Sequence, residues 1–261
     1  MLMTRPVILG VSLKMYFGVA AGHAWLDRVV ELAREHPAIA DGRVRLVVVP
    51  SFVQIRGALD RCAGSRVHVG AQDVAATELG PFTGEVAAIE LAELGVSHAE
   101  IGHAERRRLF GEDDATVAAK VAIALRHGVA PILCLGEEEQ VDAPAAAQRT
   151  LAQLVSALAE APAGPLVIAY EPVWAIGAPE PASVEHIATV VEAVTAALDG
   201  DPDRAGSAVI YGGSAGPGLL TRLGGAVDGL FLGRFAHDPE ALRLVIDEAA
   251  TLADDRARGA S

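Results

Sequence analysis

Eight short apolar runs, rich in Val and Ile, alternate with helix-patterned stretches along the chain, and this alternation constrains the fold more than any other feature. The runs cover residues 7–12, 45–49, 66–71, 99–102, 131–135, 166–169, 208–211 and 229–233. Their length and composition suit strands buried on both faces. Between them Leu, Val and Ile recur at three- and four-residue steps, most clearly over residues 23–35, 53–62, 115–127, 145–160, 184–198 and 239–252. Helix punctuation agrees: Asp114 precedes one helix, Ser183 and Glu185 open another, and Gly128 follows His127. Strand–helix alternation repeated eight times predicts a closed parallel (β/α)8 barrel. A doubly wound open sheet is the competitor; the even strand count and the Gly233-Arg234 ending favour closure.

A length of 261 residues with 51% apolar content suits one barrel domain over residues 1–253, followed by a charged tail, 254–261, expected to fray. The run beginning at Val7 is broken by Gly10 and Ser12 and stopped by Lys14, so it reads as the first strand rather than a leader. No stretch approaches the roughly 20 apolar residues of a membrane-spanning helix. A formal net charge of -13 disfavours nucleic-acid and anionic membrane partners, so an anionic substrate would need cations of the site's own. Cys62 and Cys134 form no disulfide framework and have no metal-ligand spacing, which fits free thiols in a reducing cytoplasm.

The richest segment begins at the sixth strand. Run 166–169 leads into Glu171, and Pro172 at once breaks regular structure, which puts a carboxylate at a strand's carboxyl end. Residues 173–176 are apolar and are bounded by Gly177, Pro179 and Pro181, the composition of a hydrophobic lid. A carboxylate at such a hinge suits a general base, because closure strips water from it and raises its basicity. The alternative is a helix-start glutamate beside a loop packed on the barrel rim. Active sites of parallel barrels gather at the strands' carboxyl ends. There the chain places Ser12 and Lys14, His103 with Glu105, Glu171, the turn from Tyr211 through Gly212 and Gly213 to Ser214, and Gly233-Arg234. One cation, one histidine, one lid-hinge carboxylate and two glycine-rich turns make a chemically coherent set.

Four segments, residues 12–15, 102–107, 169–177 and 211–214, resemble triosephosphate isomerases in order and spacing, over a match from about residue 7 to about 250. The resemblance implies a cofactor-independent, metal-free aldose–ketose isomerase of a small phosphorylated sugar, placed in glycolysis and gluconeogenesis and working through an enediol. Glu171 would be the base, His103 an uncharged electrophile favoured by the helix start that follows it, a pair that is itself a standard illustration of such tuning. Lys14 would stabilise negative charge, with Glu105 beside it. Backbone N–H groups of Gly177, Ser214 and Gly233 would hold the phosphate, helped by a short helix beginning near Pro217. Loop 70–85 would be a homodimer contact, with Thr83 steadying the neighbour's site.

Departures from the family pattern narrow this. Ser12 stands where asparagine is usual, and Ala104 where serine is usual. The lid ends Gly177-Ala178-Pro179-Glu180-Pro181-Ala182, stiffened by prolines and carrying a reversed charge. Arg234 replaces a glycine, and its guanidinium could clamp an anion or reach a longer substrate; the alternative is a salt bridge to Asp228 or Asp238. Ser12 with Gly233-Arg234 also resembles the branch acting on L-erythrulose 1-phosphate in bacterial sugar-alcohol catabolism. Triose phosphate is taken first, tetrulose phosphate as the alternative, and a non-catalytic sugar-phosphate-binding barrel as the third reading.

Overall fold

A computed structural model describes residues 5–259. Its strands are β1 (Val7–Ser12), β2 (Val44–Val49), β3 (Val67–Ala71), β4 (His98–Ile101), β5 (Ala130–Leu135), β6 (Val167–Tyr170), β7 (Ala208–Tyr211) and β8 (Gly229–Leu232). They run parallel in sequence order, and β1 closes the barrel by pairing with β2 on one side and β8 on the other. The expected (β/α)8 barrel is therefore the fold, in a single domain, and each strand lies within a residue of its expected ends.

Among the described residues ten α-helices surround the strands: α1 (Val19–Glu35), α2 (Pro37–Ala40), α3 (Ile55–Cys62), α4 (Ala88–Leu94), α5 (Ala104–Phe110), α6 (Asp114–Arg126), α7 (Ala143–Leu158), α8 (Val184–Asp199), α9 (Leu219–Leu223) and α10 (Pro239–Gly259). Periodicity misses α2, α4, α5 and α9 because elements of four to seven residues hold too few turns to show a repeat. Side chains cap α6, α7 and α8; Ser183 does so as expected, whereas α6 is capped by Asp113, and Asp114, expected before the helix, is its first residue. Asp142 accepts from Ala145 N, Asp113 from Thr116 N and Ser183 from His186 N.

The expected frayed tail is not found. α10 continues to Gly259, because Arg256 donates to the Val227 carbonyl and pairs with Asp228 at 3.2 Å while Asp254 pairs with Arg43. Ala260 and Ser261, the end of that tail, lie outside the described residues. No helix among the described residues is long and apolar enough to cross a membrane. Cys62 and Cys134 are both buried and free.

Alternation along the strands makes two apolar layers. One joins the strands to the helices. The other fills the barrel with Ile8, Val47, Val49, Ile132, Cys134, Val167, Ala169, Ala208, Ile210 and Phe231. Phe231 lies over Gly10, where a Cβ would come within 2.4 Å of the ring, so glycine is what lets this ring cross the interior. The packed interior forms a floor, and the site stands above it at the carboxyl ends of the strands.

Candidate active site

Glu171 follows β6 directly, and its backbone N–H donates to the Leu135 carbonyl at 2.7 Å, which extends the β5–β6 ladder by one step before Pro172 ends it. Its carboxyl group is buried, and Oε2 forms no hydrogen bond. Burial raises the Glu171 pKa above the ordinary carboxylate value; His103 and Lys14 oppose the rise, and Glu100 and Glu105 add to it. A carboxylate held in this way is more basic than one in water.

His103 caps α5, and its Nδ1 accepts from the Glu105 backbone N–H at 3.0 Å. With Nδ1 used as an acceptor, the neutral ring carries its proton on Nε2. That nitrogen lies 3.4 Å from Glu171 Oε2 and 2.6 Å from Lys14 Nζ. Burial works against the charge on Lys14, but Glu100, Glu171 and Glu105 outweigh it, so its pKa is raised and the ammonium persists. Nε2–H and the ammonium are then both donors. They cannot satisfy one another, and together they are built to bind an oxygen carrying negative charge.

Lys14 sits at φ 47°, a left-handed conformation uncommon for a side-chain-bearing residue. Gln72 holds it there by donating to the Lys14 carbonyl at 2.9 Å and to that of Val49 at 3.1 Å. Glu105 reaches Lys14 at 3.4 Å from the rim, and its carboxylate is half-exposed.

These groups line one cavity of about 1160 Å³. Ser12, Gly177, Ser214, Gly233 and Arg234 line it too, so every site residue expected from the sequence borders the same space. Gly177 has φ 72° at the end of the lid, where only glycine is unstrained. Arg234 opens a 3-10 turn after β8, and among the described residues its side chain forms no ion pair. Neither aspartate offered as its partner pairs with it. Asp228 is engaged by Arg256 and by Val209 N, and Asp238 by Glu240 N.

The family model described as triosephosphate isomerase matches residues 7–249. The chain is 50% identical to the L-erythrulose-1-phosphate isomerase of Pectobacterium atrosepticum over 95% of its own length and 98% of that protein's. It is 36% identical to the enzyme of that name from Rhizobium etli, over 90% and 89% of the two chains. With the triosephosphate isomerase of Synechococcus sp. it shares 32% identity over 93% and 97%. The chain belongs to the triosephosphate isomerase family. As a member of the triosephosphate isomerase family it is an isomerase of a small phosphorylated sugar.

One expectation drawn from the likeness to triosephosphate isomerases is corrected. The short helix near Pro217 does not point its free N–H groups at the cavity. α9 begins at Leu219, and the Gly218 and Thr221 N–H groups at its start donate to Glu248 of α10, which completes the cap from outside the site.

Sequence reading missed two carboxylates. Glu137 is buried behind the lid, where it accepts from Trp174 Nε1 at 2.8 Å and from Tyr170 Oη at 3.1 Å and lies 3.2 Å from His186 Nε2. It opens an acidic run, Glu137-Glu138-Glu139, that looks like solvated surface; its place two residues past β5 was the available signal. Glu100 lies inside β4, where a charge in a buried strand is costly and therefore informative.

Proposed function

We propose that the chain isomerises L-erythrulose 1-phosphate, a four-carbon ketose phosphate, rather than the three-carbon substrate put first from the sequence. The observation that carries this reading is identity over half of the aligned positions, along nearly the whole of both chains, with a protein of that name. Ser12 and the unpaired Arg234, both bordering the cavity, support it. The cavity's volume admits either substrate and does not discriminate.

Glu171 removes the proton from the hydroxyl-bearing carbon next to the carbonyl and returns it to the former carbonyl carbon, while the hydroxyl proton passes to the former carbonyl oxygen. His103 Nε2–H and the Lys14 ammonium stabilise the enediolate oxygens that carry charge between these steps. Glu105 keeps Lys14 and His103 in place. Backbone N–H groups of Gly177, Ser214 and Gly233 bind the phosphate, and Arg234 adds a guanidinium at the rim. This chemistry draws its stabilisation from hydrogen-bond donors and needs no metal or organic cofactor. With a triose phosphate the proton shift interconverts a ketose and an aldose. With L-erythrulose 1-phosphate the reacting carbon also bears a hydroxymethyl group, so the same shift gives a second tetrulose phosphate, a step of sugar-alcohol catabolism rather than glycolysis.

The protein acts as a cytoplasmic homodimer. Loop 70–85 carries exposed Leu79 and Phe82 beside Thr83, and Met15 and Phe110 are exposed as well, a set of apolar side chains that a second copy would cover.

Purified protein should turn over the tetrulose phosphate faster than dihydroxyacetone phosphate and incorporate solvent deuterium at the reprotonated carbon. Fast turnover of dihydroxyacetone phosphate with none of the tetrulose phosphate would return the three-carbon reading. Binding of either without turnover or exchange would make the chain a non-catalytic sugar-phosphate-binding barrel.

A further inference from the structure

Ser12 ends β1 and Glu100 lies in β4, strands that do not pair, so a contact between them has to cross the barrel interior. Ser12 Oγ donates to Glu100 Oε2 at 2.7 Å, and the other carboxylate oxygen, Oε1, lies 3.5 Å from Lys14 Nζ. Both residues are only 2% exposed. Ser12 borders the cavity, whereas Glu100 stands behind it and does not.

Burying a carboxylate here is expensive unless its contacts compensate. Anchoring Lys14 accounts for part of it, because Glu100 is the foremost of that ammonium's negative neighbours, ahead of Glu171 and Glu105. What Glu100 alone supplies is an acceptor for the Ser12 hydroxyl. A hydroxyl has one proton to donate. With that proton committed to Glu100, Ser12 offers only lone pairs to the cavity. Asparagine, usual at this position in the family, would offer N–H donors.

Resting on the four-carbon reading, we infer that Glu100 is a positioning residue that turns Ser12 into a hydrogen-bond acceptor, and that Ser12 selects the substrate by accepting a hydrogen bond from its additional hydroxymethyl group. Dihydroxyacetone phosphate has no such group and would leave the Ser12 lone pairs unmatched. A site built around a hydroxyl discriminates against an analogue that lacks it far more than an apolar pocket could.

Isosteric Glu100→Gln is the sharpest variant. Its amide oxygen should face the donor-only Lys14, leaving the amide NH2 to donate to Ser12. The Ser12 proton then turns into the cavity, and the acceptor becomes a donor. The quantity to read is the ratio of kcat/KM for the tetrulose phosphate to kcat/KM for dihydroxyacetone phosphate, with folding checked by circular dichroism. Glu100→Gln and Ser12→Ala should each lower this ratio about tenfold or more, the scale of one unmatched hydrogen bond. The double variant should match Ser12→Ala alone, because Glu100 acts through Ser12. If Glu100 merely anchors Lys14, Glu100→Gln lowers kcat on both substrates by the same factor at constant ratio, and the inference is overturned. A constant ratio in Ser12→Ala overturns it as well, whether or not Glu100→Gln folds. A wild-type protein that turns over neither substrate overturns the proposed function together with it, an outcome distinct from active enzyme with an unmoved ratio.

Discussion

The backbone at Gly212 runs so close to the Glu171 carboxylate that a Cβ there would stand 2.6 Å from Oε1 and 2.7 Å from Cγ. One wall of the space occupied by the proposed base is thus main chain, and only hydrogen lies between them. Gly212→Ala must push the carboxylate aside while leaving the barrel intact. Turnover should fall about 100-fold, the penalty for a reacting group misplaced by about 1 Å. Steady-state kinetics beside a melting curve will check this; unchanged kcat in the folded variant would show that the position of the carboxylate is not critical.

Glu171→Gln keeps the shape and removes the base. Turnover should drop about 100- to 10,000-fold. Substrate affinity, measured by calorimetry, should change little. A loss of affinity with turnover retained would remove Glu171 from the base role.

The same variant bears on stability. Burial raises the Glu171 pKa, so ionising it costs the folded state free energy. That cost is absent below the unfolded-state pKa, grows as pH rises through the folded-state pKa, and is present in full above it. Glu171→Gln is uncharged at every pH and should melt at the same temperature as wild type, or higher, near pH 7, with the advantage vanishing in acid. A variant less stable at pH 7 than at pH 4, relative to wild type, would contradict this sign.

Glu137 accepts from Tyr170 and Trp174 behind the lid. Glu137→Leu removes the acceptor of Trp174 Nε1 and leaves Tyr170 Oη only His186 Nε2, 3.0 Å away; a donor left buried and unpaired costs about 1–3 kcal/mol. Denaturant unfolding should show a loss of at least that size. The Trp174 emission, isolated by comparison with Trp174→Phe because Trp25 also fluoresces, should shift as the indole loses its partner. Unchanged stability would mean that the carboxylate does not hold the lid.

Sedimentation at micromolar concentration should give a dimer, and Phe82→Asp, on the exposed apolar face of loop 70–85, should give a monomer. A monomeric wild type would remove the homodimer.

Most of the architecture was legible in the sequence because its signals are local. A strand buried on both faces must be apolar throughout, and a helix packed on one side must repeat near every third or fourth residue. The lid was legible through Pro172, Gly177 and the apolar residues between them. What periodicity could not register were the short helices, the capping of α9 by a glutamate from α10, and the continuation of α10 into a segment too charged to look ordered. Glu137 hid in an acidic run, and Glu100 hid in a strand that was read as apolar.

The chain by itself determined the barrel, the strand ends and the residue types gathered there, since alternating hydrophobicity and backbone-breaking residues act within a few positions of one another. Tertiary structure decided which groups meet. Ser12 and Glu100 are 88 positions apart and on unpaired strands, and their 2.7 Å contact exists only because closure points both side chains into one interior. The direction of that hydrogen bond, and with it whether Ser12 offers the cavity a proton or a lone pair, follows from an acceptor brought across the barrel, which no local pattern encodes.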